Sequence, residues 1–173
     1  MAADADTFSG VPGAAAPADW RELRLADFAT LARVFDAGEA PSAGELDGAY
    51  RGRVIAVAGT DAAPTPLRRL LDLFYGAPPP LMPWAGKRFD TTRDGRTGTN
   101  IWLTGAGPCF ADFQVSSAES TSVLDYDVDQ NPRPLRAVRG EVVRLAAGLY
   151  LGRMSLRLGA RSPTLVYFVL LAE

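Results

Sequence analysis

Residues 139–171 read RGEVVRLAAGLYLGRMSLRLGARSPTLVYFVLL. Three apolar runs, Arg139–Leu145, Leu149–Leu158 and Leu165–Leu171, are separated by an Ala-Gly turn and by a loop bearing glycine and proline. Their length and punctuation predict strands, the first two paired as a hairpin and the third closing the sheet. The third run has large side chains on both faces. That pattern suits one face turned to a core and the other covered by a helix or a second subunit, which makes a homodimer one option.

Working back toward the N-terminus, the same texture repeats. Val123–Val128, Phe110–Ser116, Gly98–Thr104, Trp84–Phe89 and Tyr50–Val57 each read as a strand, with turn signals at Asp94-Gly95, Gly105–Pro108 and Asn131-Pro132. About eight short strands predict an all-β fold with accessory helices. The expected architecture is an antiparallel lipocalin-like β-barrel of about eight strands, the size that fills its interior or holds one small ligand. A half-open sheet wrapped around a helix is the alternative. Two short helices are expected before or between the first strands. In 27–36, Phe28, Leu31, Ala32 and Phe35 share one face, and in 67–75, Leu67, Leu70, Leu71 and Phe74 do so after Pro66. Gly76–Pro83, GAPPPLMP, then stops helix formation. Residues 1–19 lack large apolar groups and are expected to be a disordered tail, leaving 20–173 as a single domain.

The composition excludes several function classes. The chain has 173 residues, 47% hydrophobic and 22% charged, with 18 basic against 20 acidic side chains. No basic surplus exists to track a phosphate backbone, so nucleic acid is not an expected partner. No apolar stretch approaches the ~18 residues that span a bilayer, and residues 1–20 do not read as a signal peptide, so no membrane partner and a cytoplasmic location are expected. Histidine is absent, which removes histidine triads, histidine zinc sites and histidine-ligated haem. The one cysteine, Cys109, allows no intrachain disulfide and reads as a buried structural thiol. Gly105-Ala-Gly107 has no following helix and reads as a turn, so no motif asks for a cofactor. Seventeen of the eighteen basic residues are arginine, a bias typical of GC-rich bacterial genomes. Lys87 is the exception, and a lone lysine draws attention to its compact ammonium and tunable pKa.

Gly48-x-Tyr50-x-Gly52 resembles the GxWxG motif of a bacterial family named for it, with tyrosine in place of tryptophan. Trp84-Ala85-Gly86-Lys87-Arg88-Phe89 is similar to that family's W-x-G-K-x-F segment. Tyr126-Asp127 through Asn131-Pro132, Gly152–Met154 and Tyr167-Phe168 are similar in outline to the companion domain of unknown function, whose usual histidine this chain lacks. The resemblance covers about residues 46–171. It implies a lipocalin-like barrel and supplies no reaction.

Aromatic side chains and strand-embedded charges are the candidate chemistry. Trp84, Trp102, Phe113, Tyr126 and Tyr150 are the expected lining of a pocket for an apolar or aromatic small molecule, with Arg88 as a planar fork for a polar group. Lys87 and Arg88 are neighbours, so an unbroken strand turns only one of them inward. Alternation places Lys87 with Ala85 and Phe89, and Trp84 with Gly86 and Arg88. An inward Lys87 needs a partner such as Glu141 or Asp125, or else sits neutral and reactive. Asp125 and Asp127 share one face and Leu124, Tyr126 and Val128 the other. With the Tyr126 face inside, the aspartates are solvated; in the opposite register Asp125 becomes a buried base.

Three functions follow as expectations. The first is a barrel that binds an apolar or aromatic small molecule. The second is a cofactor-independent isomerase or cyclase acting on a polyketide-like or terpenoid substrate, with Asp125, Glu141 and Lys87 as the candidate catalytic residues. The third is a protein-interaction module built on the closing strand.

Overall fold

A computed structural model describes residues 19–42, 44–60, 84–92, 95–102 and 111–172. The expected tail up to residue 18, the helix expected at 67–75 and Cys109 lie outside the described residues. Eight strands form one closed barrel: β1 (Gly48–Val57), β2 (Trp84–Thr92), β3 (Gly95–Trp102), β4 (Asp112–Ser117), β5 (Ser122–Asp125), β6 (Val138–Ala146), β7 (Leu149–Leu156) and β8 (Thr164–Ala172). Each strand pairs antiparallel with the next, and β8 pairs antiparallel with β1 to complete the ring. The all-β barrel is thus the architecture, and the half-open alternative is set aside by the β1–β8 ladder.

Among the described residues three short helices accompany the strands: α1 (Trp20–Leu23), α2 (Phe28–Asp36) and α3 (Arg133–Arg136). The periodicity of 27–36 anticipates α2; α1 and α3 are single turns too short to show a period. Asp27 caps α2, its carboxylate accepting from the Thr30 amide at 2.6 Å. Among the described residues, no helix is long and apolar enough to cross a membrane.

Strand alternation sorts the apolar side chains into two cores. Tyr50, Phe89, Phe113, Leu124, Tyr126, Val142, Tyr150, Phe168 and Leu170 point into the barrel. Ile55, Val143, Leu149, Leu151, Tyr167 and Val169 point outward and pack under Leu23, Leu31 and Phe35 of the helices. Phe28 meets Tyr167 edge-on at 4.8 Å. This explains the closing strand: β8 is apolar on both sides because one face fills the barrel and the other carries α2. The face that made a homodimer an option is covered by the chain's own helix.

The two ends of the barrel differ. At the end where β1 begins, the loop before it folds over the opening and puts Leu46, fully buried, into the inner core. Glu45 holds that loop: its carboxylate accepts from the Ser42 amide (2.8 Å), the Ser42 hydroxyl (2.7 Å) and the Tyr150 hydroxyl (3.0 Å). The Glu45 carbonyl accepts from the Tyr50 hydroxyl at 2.7 Å, and the Leu46 carbonyl from Arg96 at 3.1 Å. At the other end leave the β1–β2 and β3–β4 connections, beside Trp84 and Trp102. There Asn131 clamps three backbone groups, accepting from Asp112 N at 3.1 Å and donating to Asp112 O at 2.7 Å and Tyr126 O at 2.8 Å.

Candidate functional site

The site is built where the two sequence motifs meet. Tyr50 and Lys87 are register partners across β1 and β2, and both point inward. Between Trp84 and Gly86 the β2–β3 register slips, Trp84 facing Trp102 but Gly86 facing Ile101. This bulge departs from strict alternation, which put Trp84 and Lys87 on opposite faces; the extra residue turns the indole to the same side as Lys87. Gly86 permits the bulge at φ +153°, where a Cβ would overlap the Tyr50 carbonyl oxygen. Gly52 in turn leaves room for the Trp84 ring, which a Cβ there would overlap.

Lys87 is 2% exposed. Its Nζ donates to Asn100 Oδ1 at 2.7 Å and lies 2.5 Å from the Tyr126 hydroxyl. Four rings surround it, with centroids at 4.9 Å (Phe113), 5.3 Å (Tyr126), 5.3 Å (Phe168) and 5.6 Å (Trp84). The Asn100 amide is oriented by its neighbours, because Trp84 Nε1 donates to the same Oδ1 at 3.1 Å and Nδ2 donates to the Ala111 carbonyl at 3.4 Å. Every one of these partners is uncharged. Ring faces favour an ammonium by about 0.5–2 kcal/mol each, while removing one ion from water costs several kcal/mol. Burial wins, and it lowers the Lys87 pKa to about 7. Burial acts oppositely on Tyr126, raising its phenol well above the usual range against a smaller contribution from Asn100, so the hydroxyl stays protonated.

A file of rings leads from the closed end to this amine: Tyr150–Tyr50 at 5.5 Å, Tyr50–Phe89 at 5.6 Å, Phe89–Phe113 at 5.6 Å and Phe113–Tyr126 at 5.2 Å. Of the expected lining, Trp84, Phe113, Tyr126 and Tyr150 therefore share one interior. Trp102 is half-buried opposite Trp84 at the end of β3. Arg88 is exposed on the outer face, as its position next to the inward Lys87 requires.

The two candidate carboxylates lie outside the barrel wall. Asp125 alternates with the buried Leu124 and Tyr126 and accepts from Arg157 at 3.0 Å. Glu141 shares the outward parity of Val143 and accepts from Arg153 at 2.7 Å; that arginine also stands over Phe35 at 4.2 Å. Neither carboxylate reaches Lys87, whose polar partners are instead Asn100 and Tyr126. The residue that sequence reasoning missed is Asn100. Asn100 lies two positions from Gly98 on the inward face of β3, and that parity was its signal. Phe168 belongs to the Tyr167-Phe168 pair of the resemblance; what its wholly apolar run left open was its inward facing.

A concavity of about 600 Å³ lies on the outer wall of β3 and β4, lined by Asp90, Thr97, Asp112, Asp127 and Asp129 among others. Among the described residues no group of three or more His, Cys, Asp or Glu is placed to hold a metal ion.

No family model matches the chain, and no curated protein matches it. Among solved structures it is similar to a protein from Thermomonospora curvata, known from its crystal structure. The two are 18% identical, the match covers 85% of this chain and 88% of the other, and the TM-score is 0.46.

Proposed function

We propose that the barrel binds an apolar or aromatic small molecule at its Trp84 end, with Lys87, Asn100 and Tyr126 orienting a polar group of that ligand. The observation that carries this reading is the Lys87 amine, buried among four rings without a carboxylate among its partners. Leucine or methionine would fill the same space without the desolvation penalty, so stability alone does not account for a lysine there. A few placed polar groups in an apolar surround are what small-molecule sites require.

Titration with the apolar fluorophore N-phenyl-1-naphthylamine tests the reading. One saturable site is expected, with blue-shifted emission and quenching of tryptophan fluorescence. Lys87→Met should leave the fluorophore bound but weaken competitors that carry a carbonyl or carboxylate group. Absence of any saturable binding to the folded protein would count against it.

A second reading, an isomerase or cyclase working in the same interior, draws on one contact. With Asp125 and Glu141 engaged by arginines outside the wall, its proton transfers would fall to the Lys87–Tyr126 pair. Loss of turnover in Tyr126→Phe with ligand binding retained is the result that reading expects.

A further inference from the structure

The interior amine is placed for covalent chemistry as well as for hydrogen bonding. Resting on the binding function above, we propose that Lys87 captures the carbonyl group of an apolar aldehyde or ketone as an imine within the barrel. Three features of the geometry carry this. First, the partners of Nζ suit an uncharged amine: it donates one N–H to Asn100 Oδ1, whose orientation Trp84 and Ala111 fix, and a second to the Tyr126 hydroxyl oxygen, which together use the two N–H groups of a neutral amine and leave its lone pair uncommitted. Second, four rings surround Nζ, and such surroundings favour an apolar carbon skeleton over a solvated anion. Third, the chain uses arginine at seventeen of its eighteen basic positions, yet has lysine here. A guanidinium keeps its proton and cannot act as a nucleophile, whereas a desolvated lysine can.

The reaction balances without an oxidant or reductant. The Nζ lone pair forms the C–N bond as the carbonyl π pair moves to oxygen, and a proton passes from nitrogen to that oxygen to give a carbinolamine. The nitrogen lone pair then forms C=N while the hydroxyl leaves with a proton as water. In net terms one carbonyl compound and the lysine amine become one imine and one water. Tyr126, held protonated and 2.5 Å from Nζ, supplies the proton that the departing hydroxyl needs and recovers one from nitrogen. Trp84 is the part-exposed ring of the four, so an entering chain meets the indole first.

The single lysine makes the test direct, since the chain's only other primary amine is its α-amino group. Native protein is incubated with n-octanal and sodium cyanoborohydride, which reduces an imine to a stable secondary amine, and the adduct is located by peptide mapping. In parallel, n-octanol, which cannot form an imine, is titrated as a competitor of bound N-phenyl-1-naphthylamine. The expected result is one octyl group on Lys87, formed at least about tenfold faster than on the same residue of the chain unfolded in urea, because burial raises the uncharged fraction. Tyr126→Phe should slow that labelling by a larger factor than it weakens octanol competition. Octanol competition with labelling confined to the α-amino group overturns the imine and leaves the binding function standing. Neither competition nor Lys87 labelling overturns both.

Discussion

Lys87 sets its own pH dependence on the fold. Its folded pKa, about 7, lies below the ordinary value of 10.5. Between those values the unfolded chain holds a proton that the folded chain has given up, so stability rises with pH across that window and is flat below it. The slope is at most about 1.4 kcal/mol per pH unit. Tyr126, whose phenol burial keeps protonated, is the titratable group facing Nζ; the other contacts, Asn100, Trp84, Phe113 and Phe168, are neutral. Thermal unfolding should therefore occur at a higher temperature at pH 9 than at pH 6.5. Lys87→Met should remove most of that difference and unfold no earlier than the parent at pH 6.5, because a buried cation is replaced by an apolar chain of similar volume. A parent profile flat from pH 6.5 to 9 would mean that the rings hold the ammonium charged. At this scale the sequence was informative about identity and silent about direction. The lone lysine stood out against seventeen arginines, but whether it or Arg88 turned inward depended on a register that composition does not encode. Asn100, one of its two polar partners, is marked in the chain only by sharing the parity of Gly98.

Among the elements, the bulge in β2 and the loop before β1 decide the interior. Gly86→Ala drives its Cβ into the Tyr50 carbonyl oxygen and also needs φ +153°, so both the contact and the backbone oppose it. For Gly152→Ala the nearest atoms are those of the Phe168 ring, a side chain rather than backbone. Urea denaturation should show a loss of roughly 1–3 kcal/mol for Gly152→Ala, the usual cost of overpacking, and a larger loss or no folded protein for Gly86→Ala. Leu46→Ala empties the plug at the closed end, and a loss of about 2–5 kcal/mol is expected in the same assay. The strands and α2 were legible because periods of 2 and 3.6 survive in their apolar residues. The bulge was not, since one extra residue reverses every facing upstream of it, and strict alternation accordingly put Trp84, expected in the lining, on the face opposite Lys87. The cap by Leu46 was hidden for another reason: Glu39–Gly44 reads as a proline-bearing loop, and nothing local says that the residues after it fold over an opening.

For the molecule as a whole, the barrel was readable from strand number and spacing, while its closure was not, because closure is a pairing between the first strand and the last. Seven of the eight ladders join strands consecutive in sequence, and the eighth joins Tyr50 to Ala172 and Val57 to Val166. That seam has a kinetic consequence. Bringing two segments more than a hundred residues apart into register costs loop-closure entropy before any of its contacts repays it. The β6–β7–β8 meander has no such delay and can form while β1 is still undocked. Stopped-flow folding should then separate two classes of conservative change: Val142→Ala, inside the meander, slows folding, and Ile55→Val, on β1, leaves the folding rate nearly unchanged and speeds unfolding. Until β1 docks, the open edges of β2 and β8 are both unpaired, so the interval before closure is when one copy of this chain is most able to recruit a strand from another.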